Sequence, residues 1–472
     1  MIEAAFSSGT GLMRILAAIM VVVAVVIAGA VGYLSSIARS GTGYEAQTLC
    51  SAVFISGRDP KSLNESEFQG LNPLLGLVST QVDEAHREVR ATFLGLGSQK
   101  SVFRPGLGCT IADSNASLPP APAALIAPRV KASDAIDEGV GALSPDVDAP
   151  RIKAAVDRAF AETDPKDPLR TRALLVVYHG KPIAERYAPG FTKDMPLAGY
   201  SMAKSIVGAL TGVLNDRKLL DLKEPAPVPL WRTPGDPRGA ITIENLLGMT
   251  AGLQWGEDNT DPRSDVLLMA YHSRDIADFA ARKPLSAPPG TQFVYNSGAT
   301  NILSRVLLTA MRDDHAAYLS LPRTAIFDPA GMTSALMPPD ASGTLFGSTE
   351  AYATARDWAR FGEIYLHDGE RNGVQIFPKG WVAYAGTPQP ASQARGYGAQ
   401  IWVNKAKPGH PDERPLPSTP EDMLMIEGAF GQVIAVIPSR DLVIVRLGDT
   451  RHWTSARLVD LVSSVIGAIH TR

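Results

Sequence analysis

The sequence predicts an α+β protein in which residues 150–472 build one antiparallel sheet from their two ends around an inserted helical lobe, behind a transmembrane helix and a small N-terminal unit. Three observations carry this reading. Ala173–Tyr178 and Ile183–Tyr187 are apolar, β-prone runs joined by the turn His179-Gly180-Lys181-Pro182, which reads as a hairpin. Helical periodicity fills the middle of the region, and extended runs return at Gly398–Val403, Leu424–Glu427, Gln432–Ile437 and Leu442–Leu447. Ahead of all this, Ile15–Leu34 is an uninterrupted uncharged stretch of the ~20 residues that cross a bilayer.

Residues 1–40 hold the anchor or signal segment. The apolar run exceeds the ~7–15-residue core of a cleaved signal, which favours an uncleaved anchor over cleavage after Ala38, where Ser36-Ile37-Ala38 resembles a small-residue site. Arg14 and Arg39 flank the run symmetrically, so charge does not set its orientation. The two cysteines, Cys50 and Cys109, suit one disulfide in an oxidising compartment and place the body on the periplasmic side of an inner membrane. Two unpaired buried cysteines are the alternative. Residues 41–114 form the small unit, with Glu88–Leu94 and the run from Ser101 to Cys109 read as a hairpin carrying Cys109 on its second strand. Residues 115–149, rich in Ala, Pro, Ser and Asp, read as a surface linker. Within 150–472, helices are expected at Arg151–Glu162, after Ser201, at Ile243–Leu247, Ser264–Ala270, Asp275–Arg282, Thr300–Met311 and Ser455–Ile469. A net charge of −3 over 472 residues leaves no footprint for nucleic acid.

The stretch Tyr200-Ser201-Met202-Ala203-Lys204-Ser205 opens an apolar helix. Ser201 and Lys204 share a face three residues apart, and no other serine has a lysine at that offset. A buried amine with lowered proton affinity can take the proton of a serine hydroxyl, and the helix N-terminus favours negative charge beside Ser201. The plainer reading is an N-cap serine with a solvated lysine. Against it, Ile206, Val207, Leu210, Val213 and Leu214 surround the helix, so its first turn is buried and the lysine needs a partner or a task. Tyr295, in Phe293-Val294-Tyr295-Asn296-Ser297-Gly298, would sit on a loop before the next helix, where a nearby ammonium favours a phenolate-like base. A packed tyrosine with one hydrogen bond is the commoner role. Glu427-Gly428-Ala429-Phe430-Gly431-Gln432 offers glycines for close backbone approach at a strand entrance, as a bulge would also. The remaining histidines have no metal or triad spacing, and neither a metal nor a cofactor is implied.

In order, these stretches resemble the serine β-lactamase and penicillin-binding-protein superfamily, in the class C-like branch of esterases and 6-aminohexanoate-dimer hydrolases. The resemblance covers roughly residues 150–472. It also rests on Leu246-Leu247-Gly248-Met249-Thr250-Ala251-Gly252-Leu253, Pro289-Gly290-Thr291-Gln292 and Ala353-Thr354-Ala355-Arg356-Asp357-Trp358-Ala359-Arg360-Phe361-Gly362. It implies a β-lactamase/transpeptidase-like fold with Ser201 as acylated nucleophile, Lys204 as its proton partner and Tyr295 as general acid/base. The backbone N–H groups of Ser201 and Gln432 would form the oxyanion hole, with Ser297 and Gly431 beside the substrate. Ser297 stands where the family often has asparagine, and Ala429-Phe430-Gly431 where β-lactamases have Lys-Thr-Gly. The missing cation argues for a small ester or amide substrate over a β-lactam or D-Ala-D-Ala. The acidic loop Trp255–Asp261 is implied at the mouth of the site, and Lys405–Asp422 is a polar insertion between strands. The competing readings are a D-amino carboxypeptidase, an envelope-fragment receptor acylated once, and a degenerate α/β-hydrolase elbow, which lacks the strand it needs before Ser201.

Overall fold

The computed structural model describes residues 6–63, 67–68, 73–95, 97–112, 118–127, 134–406, 409–410 and 413–470. Parts of the expected linker, 115–117 and 128–133, and residues 407–408 and 411–412 of the Lys405–Asp422 insertion lie outside the described residues.

Helix α1 spans Phe6–Phe54 without a break, so the chain passes residue 40 as helix rather than at a boundary. Residues 13–35 are all exposed, Val22 at 61% and Leu34 at 48%, whereas Ile37, Ala38, Ala46, Leu49 and Cys50 are buried. Among the described residues, α1 is the one helix long and apolar enough to cross a membrane. Its second half packs on a four-stranded antiparallel meander, β1 (Val78–Asp83), β2 (Glu88–Phe93), β3 (Gly97–Arg104) and β4 (Gly108–Ala112). The expected hairpin is therefore the middle of a larger sheet. The run from Ser101 is cut at Pro105, because proline cannot donate to a ladder, and Gly106 and Gly108 turn with positive φ. Cys109 thus lies on β4, where a disulfide joins it to Cys50 of α1.

The central sheet has the order β7-β8-β9-β10-β5-β6, all antiparallel, from β5 (Thr171–Tyr178), β6 (Lys181–Tyr187), β7 (Trp402–Val403), β8 (Leu424–Gly428), β9 (Gln432–Ile437) and β10 (Leu442–Gly448). β10 pairs with β5, so the two ends of the region meet in mid-sheet. Strands β5, β9 and β10 are buried along their whole length and read as continuous apolar runs because both faces are covered. The period-2 alternation sorts their side chains. Leu174, Val176 and Ile444 join the core under α2 (Ala149–Ala159) and α7 (Ser455–Ile466), while Leu175, Val177, Val443 and Val445 join the core that holds the helices between β6 and β7.

Those helices include α3 (Ala203–Asp216), α4 (Asp265–His272), α5 (Ser297–Ala310) and α6 (Ala355–Leu366). α5 begins three residues earlier than its apolar pattern suggests, because the Asn296 side chain accepts from Ala299 N–H at 2.9 Å and caps it. The strand expected over Gly398–Val403 shrinks to Trp402–Val403. Gln400 turns with φ 60° and spends its side chain on Thr300 and the carbonyls of Leu246 and Leu247. The segment 134–138 does more than bridge a surface. Asp134 accepts from Arg360 and Arg371, fastening the chain behind α6.

Candidate active site

Ser201 lies on a short 3₁₀ turn, Tyr200–Met202, that runs directly into α3. Tyr200 adopts φ 48°, a left-handed conformation that is costly for a bulky residue and persists only where the surroundings fix it. They do so here: the half-buried Tyr200 ring packs edge-on against Phe430 at 5.3 Å. Gly199 must be glycine, since a Cβ would come within 2.4 Å of the Trp358 ring. The end of β8 closes on the same turn, where a Cβ on Gly428 would fall 2.1 Å from Gly199 O. Backbone of the turn and backbone of the strand thus touch with no side chain between them.

Lys204 is 1% exposed, the second residue of an apolar helix whose residues from Ala203 to Leu214 are all buried. Its Nζ donates to Ser201 Oγ at 2.9 Å, to Ser297 Oγ at 3.1 Å and to Ser348 O at 2.8 Å. Burial lowers its pKa to about 8, against a pull in the other direction from Glu257. A lysine in that state is neutral in a substantial fraction of molecules near pH 8 and can accept the serine proton.

Tyr295 brings the third group. It precedes the Asn296 cap of α5, its hydroxyl is close enough to Ser201 for the serine to bear on its titration, and the Lys204 ammonium lies 4.8 Å from its ring centroid. Trp402 stacks on it at 5.5 Å and Tyr397 meets it edge-on at 5.9 Å. The neighbouring ammonium is not what sets the phenol's proton affinity. Burial, with the Glu257 carboxylate adding to it, drives the phenol well above the usual tyrosine range, so Tyr295 is a neutral O–H donor.

The other expected site residues divide. Ser297 is drawn in, but between Lys204 and Glu257: its Oγ–H donates to Glu257 Oε1 and its N–H to Oε2 at 3.0 Å. Glu257 also accepts from Trp255 Nε1. The acidic loop therefore supplies a buttress of the lysine. Gln432 sits at the base of the β8–β9 turn, its side chain donating to Ala429 O at 2.9 Å and Gly448 O at 2.8 Å. Gly431 packs on Arg446 and Trp453, and its own carbonyl takes Arg446 Nη1 at 2.6 Å. Sequence reasoning missed Ser348, whose contribution is a carbonyl and carries no side-chain signal. It also assigned nothing to Glu427, whose buried carboxyl is pushed up to about 7 close enough to Tyr295 to add to its shift.

The arrangement holds an activatable hydroxyl, an amine of lowered proton affinity and a neutral phenol in one place, the components of covalent acyl transfer. Comparison with known proteins agrees with the architecture. Residues 156–463 match the model of the Beta-lactamase family. A 6-aminohexanoate-dimer hydrolase of Paenarthrobacter ureafaciens is 28% identical over 310 residues, 60% of this chain and 75% of that protein. Among solved structures, a penicillin-binding protein homologue from Caulobacter crescentus aligns with TM-score 0.52 and 17% identity over 70% of this chain and 99% of its own. A family VIII carboxylesterase aligns with TM-score 0.51 and 15% identity over 70% and 99%. With the family model covering well over half of its residues, and the sheet and helices described above in place, the chain belongs to the Beta-lactamase family of the serine hydrolase superfamily.

Proposed function

We propose that the protein is a serine hydrolase that cleaves a small ester or amide through an acyl-enzyme, and that β-lactams are not its main substrates. The observation that carries the reading is Lys204: a lysine 1% exposed, 2.9 Å from the Ser201 hydroxyl, with its pKa lowered to about 8. Ser201 Oγ attacks the carbonyl carbon while its proton passes to the neutral Lys204 amine. The N–H groups of Ser201 and Gln432 receive the oxyanion. As the bond to the leaving group breaks, Tyr295 gives that group a proton and is reprotonated from Lys204. Water then attacks the ester of Ser201, losing its proton to the same pair, which hands it to Ser201 Oγ as the acid leaves. The raised phenol and the lowered amine support this division, with Lys204 as acceptor and Tyr295 as donor. The turn Ala429-Phe430-Gly431 presents no cation for a substrate carboxylate, which supports an uncharged substrate end there.

The apolar run of α1 is read as a membrane span, with the body outside the cytoplasm on a periplasmic face. Its support is the uniform exposure of residues 13–35, which water disfavours over so large a patch, together with a disulfide, which persists in oxidising compartments. The deciding experiment for the chemistry is labelling with a fluorophosphonate probe. The native chain takes up one equivalent and Ser201→Ala none; full labelling of the variant would falsify the assignment. Turnover of p-nitrophenyl acetate beyond one equivalent separates the hydrolase from a receptor that is acylated once.

A further inference from the structure

We propose that this site works at the membrane surface, on the acyl ester of an uncharged amphiphile whose chain stays in the bilayer. The inference rests on the hydrolase reading and on the span of α1, and adds to them the place from which substrate enters.

The first support is the way α1 leaves the apolar run. An anchored enzyme that samples the aqueous phase needs a flexible tether, and here α1 continues as helix from the exposed run into a buried clamp. The second is what the exit turns hold. Ser36 Oγ and Ser40 Oγ both donate to Pro262 O, at 3.1 and 3.2 Å, and Ser40 Oγ lies 3.0 Å from His272 Nε2. The Arg263 guanidinium sits 5.4 Å from the ring centroid of Tyr33, at the end of the run, where aromatic and basic side chains favour the lipid headgroups. Tyr44 of α1 meets Tyr271 edge-on at 6.3 Å, and Gln99 of β3 donates to Tyr271 O at 2.6 Å.

The segment so held is the one that buttresses the lysine. Asp265, at the start of α4, accepts Gly256 N–H at 2.9 Å, and Val266 N–H donates to Gly256 O at 3.1 Å. The next residue is Glu257, which holds Ser297 beside Lys204. One rigid path therefore joins the end of the apolar run to the nucleophile. At 1.5 Å of rise per residue, Ser36 and Ser40 stand about 3 and 9 Å beyond Leu34 along the helix, a depth comparable to the headgroup layer of ~5–8 Å on each side of the hydrocarbon. Glu257 is five residues from Pro262, at most ~18 Å of chain. The charges of this loop are largely spent, Asp261 pairing with Arg263 at 3.6 Å and Glu257 turning inward to Ser297 and Trp255, so the face carries no net charge that would recruit a charged headgroup. The reaction is the one already described. The acyl C–O bond breaks, Ser201 takes the acyl group, the headgroup alcohol leaves with the proton from Tyr295, and water releases the fatty acid.

The test uses the full chain in phosphatidylcholine nanodiscs with a fluorogenic long-chain acyl ester, placed either in the same disc or in protein-free vesicles. Confinement in one membrane raises the effective concentration, and the same-disc ester is expected to turn over at least about tenfold faster at equal total amount. Inserting a flexible Gly/Ser segment of about ten residues between Leu34 and Ser35 releases the body from the surface. That insertion is expected to lower the ratio by at least about threefold while p-nitrophenyl acetate turnover stays within about twofold. A ratio of one in the native chain, or a ratio untouched by the insertion, overturns the proposal. Independently of turnover, a spin label at Asn259→Cys, an exposed position in a chain whose own cysteines are bridged, is expected to be relaxed by a nickel-chelating lipid in the native chain and not after the insertion. Absence of relaxation in the native chain overturns the geometry whatever the kinetics show. A native chain that fails on p-nitrophenyl acetate but shows the relaxation sinks the hydrolase reading and leaves the surface geometry standing.

Discussion

Helices α1 and α3 break the same rule in opposite directions. α1 presents apolar side chains to its surroundings over residues 13–35, while α3 takes a lysine into a helix whose residues from Ala203 to Leu214 are all buried. For α1 the anomaly vanishes if the surroundings are lipid, since the same residues are then in their preferred solvent. For α3 no change of solvent helps, because the lysine is enclosed by protein. Its charge is relieved only by losing the proton, which is the direction of its shift. An exposed apolar face thus reports where a protein lives, and a buried cation reports what it does.

The two anomalies should be separable by substitution, and the largest effect falls on α3. Lys204→Ala removes the proposed proton acceptor and is expected to lower kcat/KM for p-nitrophenyl acetate by about 10³-fold, within the ~10²–10⁴ range of a positioned acid/base group. Membrane retention should be unchanged, and a variant that keeps a tenth of the native rate would take Lys204 out of the chemistry. On α1, Val23→Arg places a charge near the middle of the run at a cost of about 3 kcal/mol for insertion. It is expected to move protein from the carbonate-washed membrane fraction to the soluble one without altering turnover per folded molecule. Equal damage to both properties by either substitution would dissolve the contrast.

A third effect reads the cost of burying Lys204. A lysine whose pKa falls from 10.5 to about 8 on folding binds its proton more weakly in the native state, so the unfolded chain holds the extra proton between those values. Below pH 8 both states are protonated and the native state carries the full penalty; above 10.5 both are neutral and it carries none. At 1.36 kcal/mol per unit the window is worth up to about 3 kcal/mol. Denaturation of the body should therefore show native stability rising relative to Lys204→Met as pH climbs from 8 to 10.5. Parallel profiles would mean that the amine is not desolvated.

How far this was legible in the sequence depends on whether a feature is local. Strand β5 and helix α3 announce themselves through runs of apolar residues, and Ser201 and Lys204 through a three-residue spacing that any helix converts into contact. That one sheet draws on both ends of the region follows from the apolar runs there, but the pairing of β10 with β5 and the order of the strands carry no local signature. The four-stranded meander was half seen because β1, with its exposed Ser79, Thr80 and Gln81, has no alternation to notice. For Tyr295 the motif brings one neighbour into view, the ammonium, which argues for a phenolate. The larger effects, burial under Trp402 and the carboxylate of Glu257, come from residues far along the chain. The acidic loop was placed at the mouth on resemblance, but that Glu257 grips Ser297 needs coordinates.

That carboxylate supports the smallest and most discriminating prediction. Glu257 opposes burial by holding Lys204 towards its charged form, so Glu257→Gln should lower the lysine pKa further. If the neutral amine accepts the serine proton as proposed, the acid limb of kcat/KM against pH should move to lower pH. The amide can be accommodated. Its oxygen accepts from Trp255 Nε1 and Ser297 N–H, and its NH₂ donates to Ser297 Oγ, whose hydroxyl rotates from donor to acceptor. The rotated hydroxyl still accepts from Lys204 Nζ, which keeps Ser201 in reach, so the plateau rate should change by only about threefold or less. A purely structural role for Glu257 predicts the opposite pattern, a lower plateau on an unmoved limb.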